Sequence, residues 1–310
     1  IKRLDPKKHC GVKVFMGAST GNLLVENPAA LEAIFRDCPT LIVTHCESGP
    51  VIERNLKRIT SNGYIPKISD HPKIRDEEAC YASSSYAVSL AKKYNSQLHV
   101  LHITTAKELS LFESGPIESK HITAEACIHH IWFNEKDYLT KGSRIKWNPA
   151  VKKESDQKAI LQAVNDNIID VLATDHAPHT IEEKDGVYTK AASGGPLVQH
   201  AMNALFELYH QGKIELTHIA QKFSHDVARV FQVEKTGYLR EGYYADLFIA
   251  DLDKKYTVKK SNLLYKCGWS PFENQEFNSK IETTVVSGNV VWNEGKIIEG
   301  TNGQRLSFDR

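Results

Sequence analysis

The 310-residue sequence has no unbroken apolar run of about 18 residues, the length a membrane-spanning helix requires. It has no block of basic residues, and its first residues lack the basic-then-apolar stretch of a secretory leader. A formal net charge of +1 leaves no electrostatic footprint for nucleic acid or a membrane surface. The six cysteines, Cys10, Cys38, Cys46, Cys80, Cys127 and Cys267, are scattered with no paired spacing. That argues against a zinc ribbon and for free thiols in a reduced, cytoplasmic compartment. No repeat of fixed period and no low-complexity tract is present. With 41% hydrophobic and 25% charged residues, the composition is that of a soluble globular chain able to bury a large core, as one large domain or one plus a small one.

What is present is an alternation of apolar strands and amphipathic helices. Strands are expected over 12–16, 40–44, 97–103, 121–127 and 168–174, and helices over 28–37, 77–94, 106–113, 155–166, 197–210 and 216–231. Asn27-Pro28 and Thr104-Thr105 read as helix starts. Five strand-then-helix units suit a parallel sheet or barrel, but a (β/α)8 barrel needs eight, so three units are missing from the pattern. Residues 1–6 read as the end of a surface helix, and the strand at 12–16 follows at once. A chain that begins this deep in its pattern is expected to lack a preceding portion. After Phe231 the texture turns to β-rich segments punctuated by glycines, and 237–310 is expected to form a small β-domain beside the barrel portion of 1–236.

Chemistry gathers at the strand ends. Ala173-Thr174-Asp175-His176-Ala177-Pro178-His179 closes the last apolar run with an acid and two imidazoles, which suits a metal site with a proton-transfer group. A strand capped by a polar turn is the simpler alternative for such a stretch taken alone. His45 closes Leu41-Ile42-Val43-Thr44, and His102 closes Leu98-His99-Val100-Leu101. Either one alone would more often be a satisfied core histidine. Lys13 lies among Val12, Val14 and Phe15, where an unpaired ammonium is costly to bury, although a lysine at a strand edge can snorkel to water. All four residues sit toward the carboxyl ends of successive strands, so in a barrel they converge on one rim.

The set Lys13, His45, His102 and Asp175 resembles the metal site of the amidohydrolase superfamily. Five further blocks narrow the resemblance to the dihydroorotase group, in that group's order and over essentially the whole chain. These are Thr44-His45-Cys46-Glu47, His99-Val100-Leu101-His102-Ile103-Thr104-Thr105, Ile122-Thr123-Ala124-Glu125-Ala126-Cys127-Ile128-His129-His130, Lys146-Trp147-Asn148-Pro149-Ala150-Val151-Lys152 and Lys266-Cys267-Gly268-Trp269-Ser270-Pro271-Phe272-Glu273. The resemblance implies a TIM-type (β/α)8 barrel, here incomplete with strands four to eight, plus a small C-terminal β-sandwich portion. It implies two divalent metal ions, most simply Zn2+, with a CO2-derived carbamate on Lys13 as the bridge, His45 and His102 on one metal and Asp175 on the other. Asp175 would also carry the catalytic proton. Asn148, His179, Gly194 and Gly195 would bind the substrate, and the implied reaction is reversible hydrolysis of the cyclic amide of dihydroorotate to N-carbamoyl-aspartate. The resemblance leaves open a homodimer and a transcarbamoylase partner.

Two departures stand out. The His-x-His of the superfamily's first strand and the substrate-binding arginine after it are absent, and similar bacterial sequences carry Asp where Lys13 stands. Related activities on hydantoin, dihydropyrimidine or allantoin rings, and a non-catalytic scaffold, are the rival readings. His129 and His130 are expected to be a solvated pair or to stand behind the ligands. The tract Glu182-Glu183-Lys184-Asp185 is expected to be a mobile, solvated loop near the site, with a lid as the alternative. Gly194-Gly195-Pro196 is also ordinary turn chemistry.

Overall fold

The computed structural model describes residues 1–17, 23–300 and 303–310. Five short strands, β1 (Val12–Met16), β2 (Ile42–Cys46), β3 (Leu98–Val100), β4 (Ile122–Cys127) and β5 (Val171–Ala173), pair in that order as one parallel sheet. Their sequences are near-continuous apolar runs because both faces are covered, and every residue of β2 and β3 is buried. The register sets Val12 opposite Ile42, Ile42 opposite Leu98, Leu98 opposite Ile122 and Cys127 opposite Ala173. Parallel neighbours in chain order bring every carboxyl end to one rim.

The helices between the strands follow the sequence signals closely where a cap exists. Asn27 accepts hydrogen bonds from the backbone N–H groups of Ala29 and Ala30 at 2.9 and 3.2 Å, starting the helix Pro28–Asp37. Asp76 caps Glu77–Tyr94 in the same way, and Asn95, at φ 51°, ends it. Four segments differ from expectation. The helix expected at 106–113 is a 3-10 stretch, Lys107–Leu111, although Thr105 does cap it through the Glu108 N–H. Residues 216–231 are helical but pass through a wide turn at Gln221–His225, where the buried pair Lys222 and Asp226 meets at 3.3 Å. The helix Gly49–Thr60 has no counterpart in the sequence reading, because only Asn55 along it is buried and its outer face is charged. Residues 1–8 form hydrogen-bonded turns rather than a helix end.

Beyond the parallel sheet, β6 (Leu247–Asp251), β9 (Lys280–Val286), β10 (Asn289–Asn293) and β11 (Lys296–Ile297) make an antiparallel sheet in the order β11-β10-β9-β6. A separate hairpin pairs β7 (Tyr256–Thr257) with β8 (Glu276–Phe277). Val258, Phe272 and Phe277 sit in the same buried cluster as Phe133, Trp147 and Leu205, so the segment around the hairpin packs into the core beside the parallel sheet. Among the described residues no helix is long and apolar enough to cross a membrane.

The core holds an unusual load of buried histidine, including His71, His130 and His200. Burial holds the imidazole of His130 at about 3 and that of His200 at about 4, and pushes His71 well below its ordinary range. The unfolded chain protonates near 6.5, before the folded one does, so stability is complete above that pH and falls as acid brings the medium toward the folded values. Each such histidine contributes a slope of about 1.4 kcal/mol per pH unit in that window. The expected result is a urea midpoint that drops steeply from pH 7 to pH 5. A flat profile over this range would show that these rings are already charged in the native state.

Candidate active site

The rim at the carboxyl ends of the strands collects His45, His102 and Asp175. His45 is the fourth residue of β2 and 4% exposed, and His102 follows β3 at 3% exposed. Their facing nitrogens, Nδ1 of His45 and Nε2 of His102, lie 3.0 Å apart, with the rings edge to face. Burial, joined by the charges of His45, His130 and Lys13, drives His102 well below the ordinary imidazole range, so it is neutral and presents a lone pair. His102 and Asp175 both hold left-handed backbone, at φ 39° and 44°. Non-glycine residues adopt that conformation at a price in strain, and such strain concentrates at functional sites.

The other face of His45 is held by a carboxylate. Nε2 of His45 lies 3.2 Å from Oε2 of Glu47, a fully buried side chain that also accepts a hydrogen bond from the Arg75 guanidinium. Burial opposes ionisation of Glu47, but the charges of Arg75 and His45 overcome it and hold the carboxyl at about 2. The carboxylate beside Nε2 leaves Nδ1 turned toward His102 on the rim.

Asp175 stands after β5. Burial raises its carboxyl above the usual range, the nearby Glu125 raises it further, and the charges of Lys13 and His45 pull it back. Glu125 itself is the site residue that the sequence reading passed over. It is 6% exposed, its Oε1 accepts the backbone N–H of His102 at 3.3 Å, and Oε2 lies 3.5 Å from Nε2 of His99. The signal was available: an acid in the middle of the apolar strand β4 has no solvation to gain there. Lys13 requires a correction. Its side chain is exposed, and its ammonium rests 4.8 Å above the Phe15 ring, because β1 is the edge of the described sheet with only β2 beside it.

The residues expected to bind substrate are Asn148, His179, Gly194 and Gly195. Oδ1 of Asn148 is buried without a hydrogen-bond partner among the described residues. His179 is partly exposed, its Nδ1 lies 3.3 Å from Glu183, and its carbonyl accepts the Trp269 indole N–H at 2.8 Å. Gly194 takes φ 126°, and its N–H donates to the Lys146 carbonyl at 2.8 Å. A Cβ on Gly195 would fall 2.7 Å from the Trp147 ring, so glycine is required for the loop to lie against that indole.

The tract at 182–185 exposes Glu182, Glu183 and Asp185 as expected, but it is a helical turn that buries its lysine. Thr180 caps a helical turn, Ile181–Lys184, and Lys184 is wholly buried. Its ammonium donates to the carbonyls of Lys146, Ala192 and Gly194 at 3.1, 2.9 and 2.7 Å and faces the Trp147 and Trp269 rings. Burial, with the charges of Lys146 and Arg144, draws its pKa to about 7. Lys146 ties down the same loop through the carbonyls of Tyr188 and Ala191, at 2.7 and 2.5 Å. His129 and His130 are likewise buried, at 0% and 4%, so the expectation of a solvated pair fails.

The amidohydrolase family pattern matches residues 56–291. The dihydroorotase of Pyrococcus horikoshii is 28% identical over 302 residues, which cover 97% of this chain and 65% of that protein. The dihydroorotase of Clostridium acetobutylicum is 33% identical over 219 residues, 70% of this chain and 51% of that protein. The chain thus spans at most about two thirds of the length of these curated relatives. Among solved structures, the L-hydantoinase of Arthrobacter aurescens superposes with a TM-score of 0.89 at 23% identity, over 96% of this chain and 68% of that one. The dihydropyrimidinase of Brevibacillus agri gives 0.83 at 20% identity, over 93% and 65%. A parallel sheet that carries two facing histidines and an aspartate on one rim, matched by the family pattern over most of its length, places this chain in the amidohydrolase family.

Proposed function

We propose that the protein acts as a dihydroorotase, hydrolysing the cyclic amide of dihydroorotate reversibly to N-carbamoyl-aspartate in the cytoplasm. The observation that carries this reading is the 3.0 Å approach of His45 Nδ1 to His102 Nε2 beside Asp175, in a chain 28–33% identical to dihydroorotases. The five parallel strands are read as strands four to eight of a (β/α)8 barrel within residues 1–236. Residues 237–310 are read as the small β-sandwich portion.

The side chains fit a dinuclear site. Two buried imidazoles with ring nitrogens 3.0 Å apart on one rim are a ready pair of metal ligands. His45 and His102 would hold one divalent ion, Asp175 the other, and a carbamate on the exposed Lys13 would bridge them. Two divalent ions, Zn2+ in this reading, lower the pKa of water to near neutrality and polarise the amide carbonyl. Glu47 and Arg75 keep His45 turned to the rim. Asp175, with its raised carboxyl pKa, takes the proton from the attacking water and returns it to the ring nitrogen as the C–N bond breaks. Asn148 and His179 offer polar groups to the substrate carboxylate, and the backbone of Gly194 and Gly195 lines the ring.

The test is metal analysis and turnover of the full-length protein on dihydroorotate, hydantoin and dihydrouracil. The expected result is two divalent ions per chain and a preference for dihydroorotate that chelation abolishes and Zn2+ restores. Faster turnover of the rings without a carboxylate would replace this reading by a hydantoinase or dihydropyrimidinase activity.

A further inference from the structure

Cys127 ends β4, and His129 and His130 lie in the helical turn Ile128–Trp132 that follows. All three are buried, and one donor atom from each falls within 4.8 Å of the other two. The histidines are not satisfied by the protein around them. Nε2 of His130 reaches the Pro149 carbonyl at 3.1 Å, which places the ring proton there and leaves Nδ1 as a buried lone pair with no partner. Both nitrogens of His129 are buried with no partner, while its ring stacks on Trp147 at 4.3 Å. A buried polar atom left unpaired costs about 1–3 kcal/mol, so several of them facing one thiol call for an occupant.

We propose that Cys127, His129 and His130 form a binding site for a thiophilic divalent cation, Zn2+ or Cd2+, distinct from the His45–His102 pair. Two imidazoles and a thiol are the borderline-soft donor set that selects such ions over Mg2+ or Ca2+. Tetrahedral coordination brings N and S donors to roughly 3.5 Å from one another, so the three atoms draw in by about 1 Å as the ion enters. On binding, the S–H bond of Cys127 breaks, sulfur keeps the electron pair and bonds the metal, and the proton leaves to solvent. A fourth donor is at hand in Oε1 of Glu125, 3.6 Å from Cys127 Sγ. A water molecule is the other simple occupant; the thiol then keeps its hydrogen bond to Glu125 and gains no metal bond.

The experiment uses the full-length protein stripped of metal and titrated with Cd2+, followed by the near-ultraviolet sulfur-to-metal charge-transfer band. The band is expected to grow to one equivalent in the wild type and to vanish in Cys127→Ser. It is expected to persist in a variant with Cys10, Cys38 and Cys267 all replaced by Ser, the thiols that are not fully buried. The buried Cys46 and Cys80 are engaged elsewhere, by the hydroxyls of Thr44 and Thr104, and give no band of their own. His130→Gln should keep the thiol and weaken Cd2+ binding at least tenfold, which holds the test open should Cys127→Ser fail to fold. A band unchanged in Cys127→Ser, an affinity unchanged in His130→Gln, or no band in the wild type would overturn the proposal, the last leaving water as the occupant. The band is independent of dihydroorotate turnover, so its loss and the failure of the hydrolase reading are distinguishable.

Discussion

Asp175→Asn is expected to leave a folded protein that no longer opens the dihydroorotate ring, with kcat reduced on the order of 10³-fold or more. The amide keeps the shape of the carboxyl but cannot accept and return a proton, and it is a poor ligand for a divalent ion. The fold should not suffer. The carboxyl of Asp175 lies above its usual range because burial and Glu125 disfavour its charge, so at neutral pH the ionised form is a liability to the native state. That liability is absent in acid below the ordinary carboxylate range, grows as pH rises toward the folded pKa and is constant above it, and the amide removes it. Thermal melts at pH 7 should therefore show a midpoint equal to or above that of the wild type, beside a lost rate. Turnover within tenfold of wild type would remove Asp175 from the proton path.

Lys184→Met should damage both stability and substrate capture. The ammonium joins three backbone carbonyls, those of Lys146, Ala192 and Gly194; the Lys146 carbonyl keeps the Gly194 N–H at 2.8 Å, and the substitution takes the Lys184 donor from those of Ala192 and Gly194. One to three kcal/mol for each of those two groups gives a loss of roughly 2 kcal/mol or more. The loop that carries His179, Gly194 and Gly195 then loses its tie to Trp147 and Asn148. Limited proteolysis should cut between residues 180 and 196 in the variant and not in the wild type, and KM for dihydroorotate should rise at least tenfold while kcat moves less. An unchanged KM with intact stability would mean that the loop is shaped by Lys146 and the tryptophans alone.

The rim was legible in the sequence because parallel strands buried on both faces read as short apolar runs, and the runs of β2, β3 and β5 stop close to His45, His102 and Asp175, whereas β1 ends on Met16. His45, His102 and Asp175 were found that way. What escaped depended on partners distant in the chain. Lys13 was expected to be buried because its neighbours Val12, Val14 and Phe15 are apolar, yet exposure depends on what lies beyond the sheet edge. Lys184 sat in a run of charges that looks solvated, and only the carbonyls at 146, 192 and 194 show why it is buried. Glu125 was hidden inside an apolar strand, and the helix Gly49–Thr60 inside a charged segment. Local pattern reports burial of apolar faces well, and it reports poorly on polar side chains whose satisfaction is long-range.

The positive φ angles of His102 and Asp175 are held at a cost. Each left-handed turn would be more comfortable with glycine by about 1 kcal/mol. Glycine at either position relieves that strain only by removing the imidazole or the carboxylate, so the chain carries a standing backbone cost to keep both side chains on the rim.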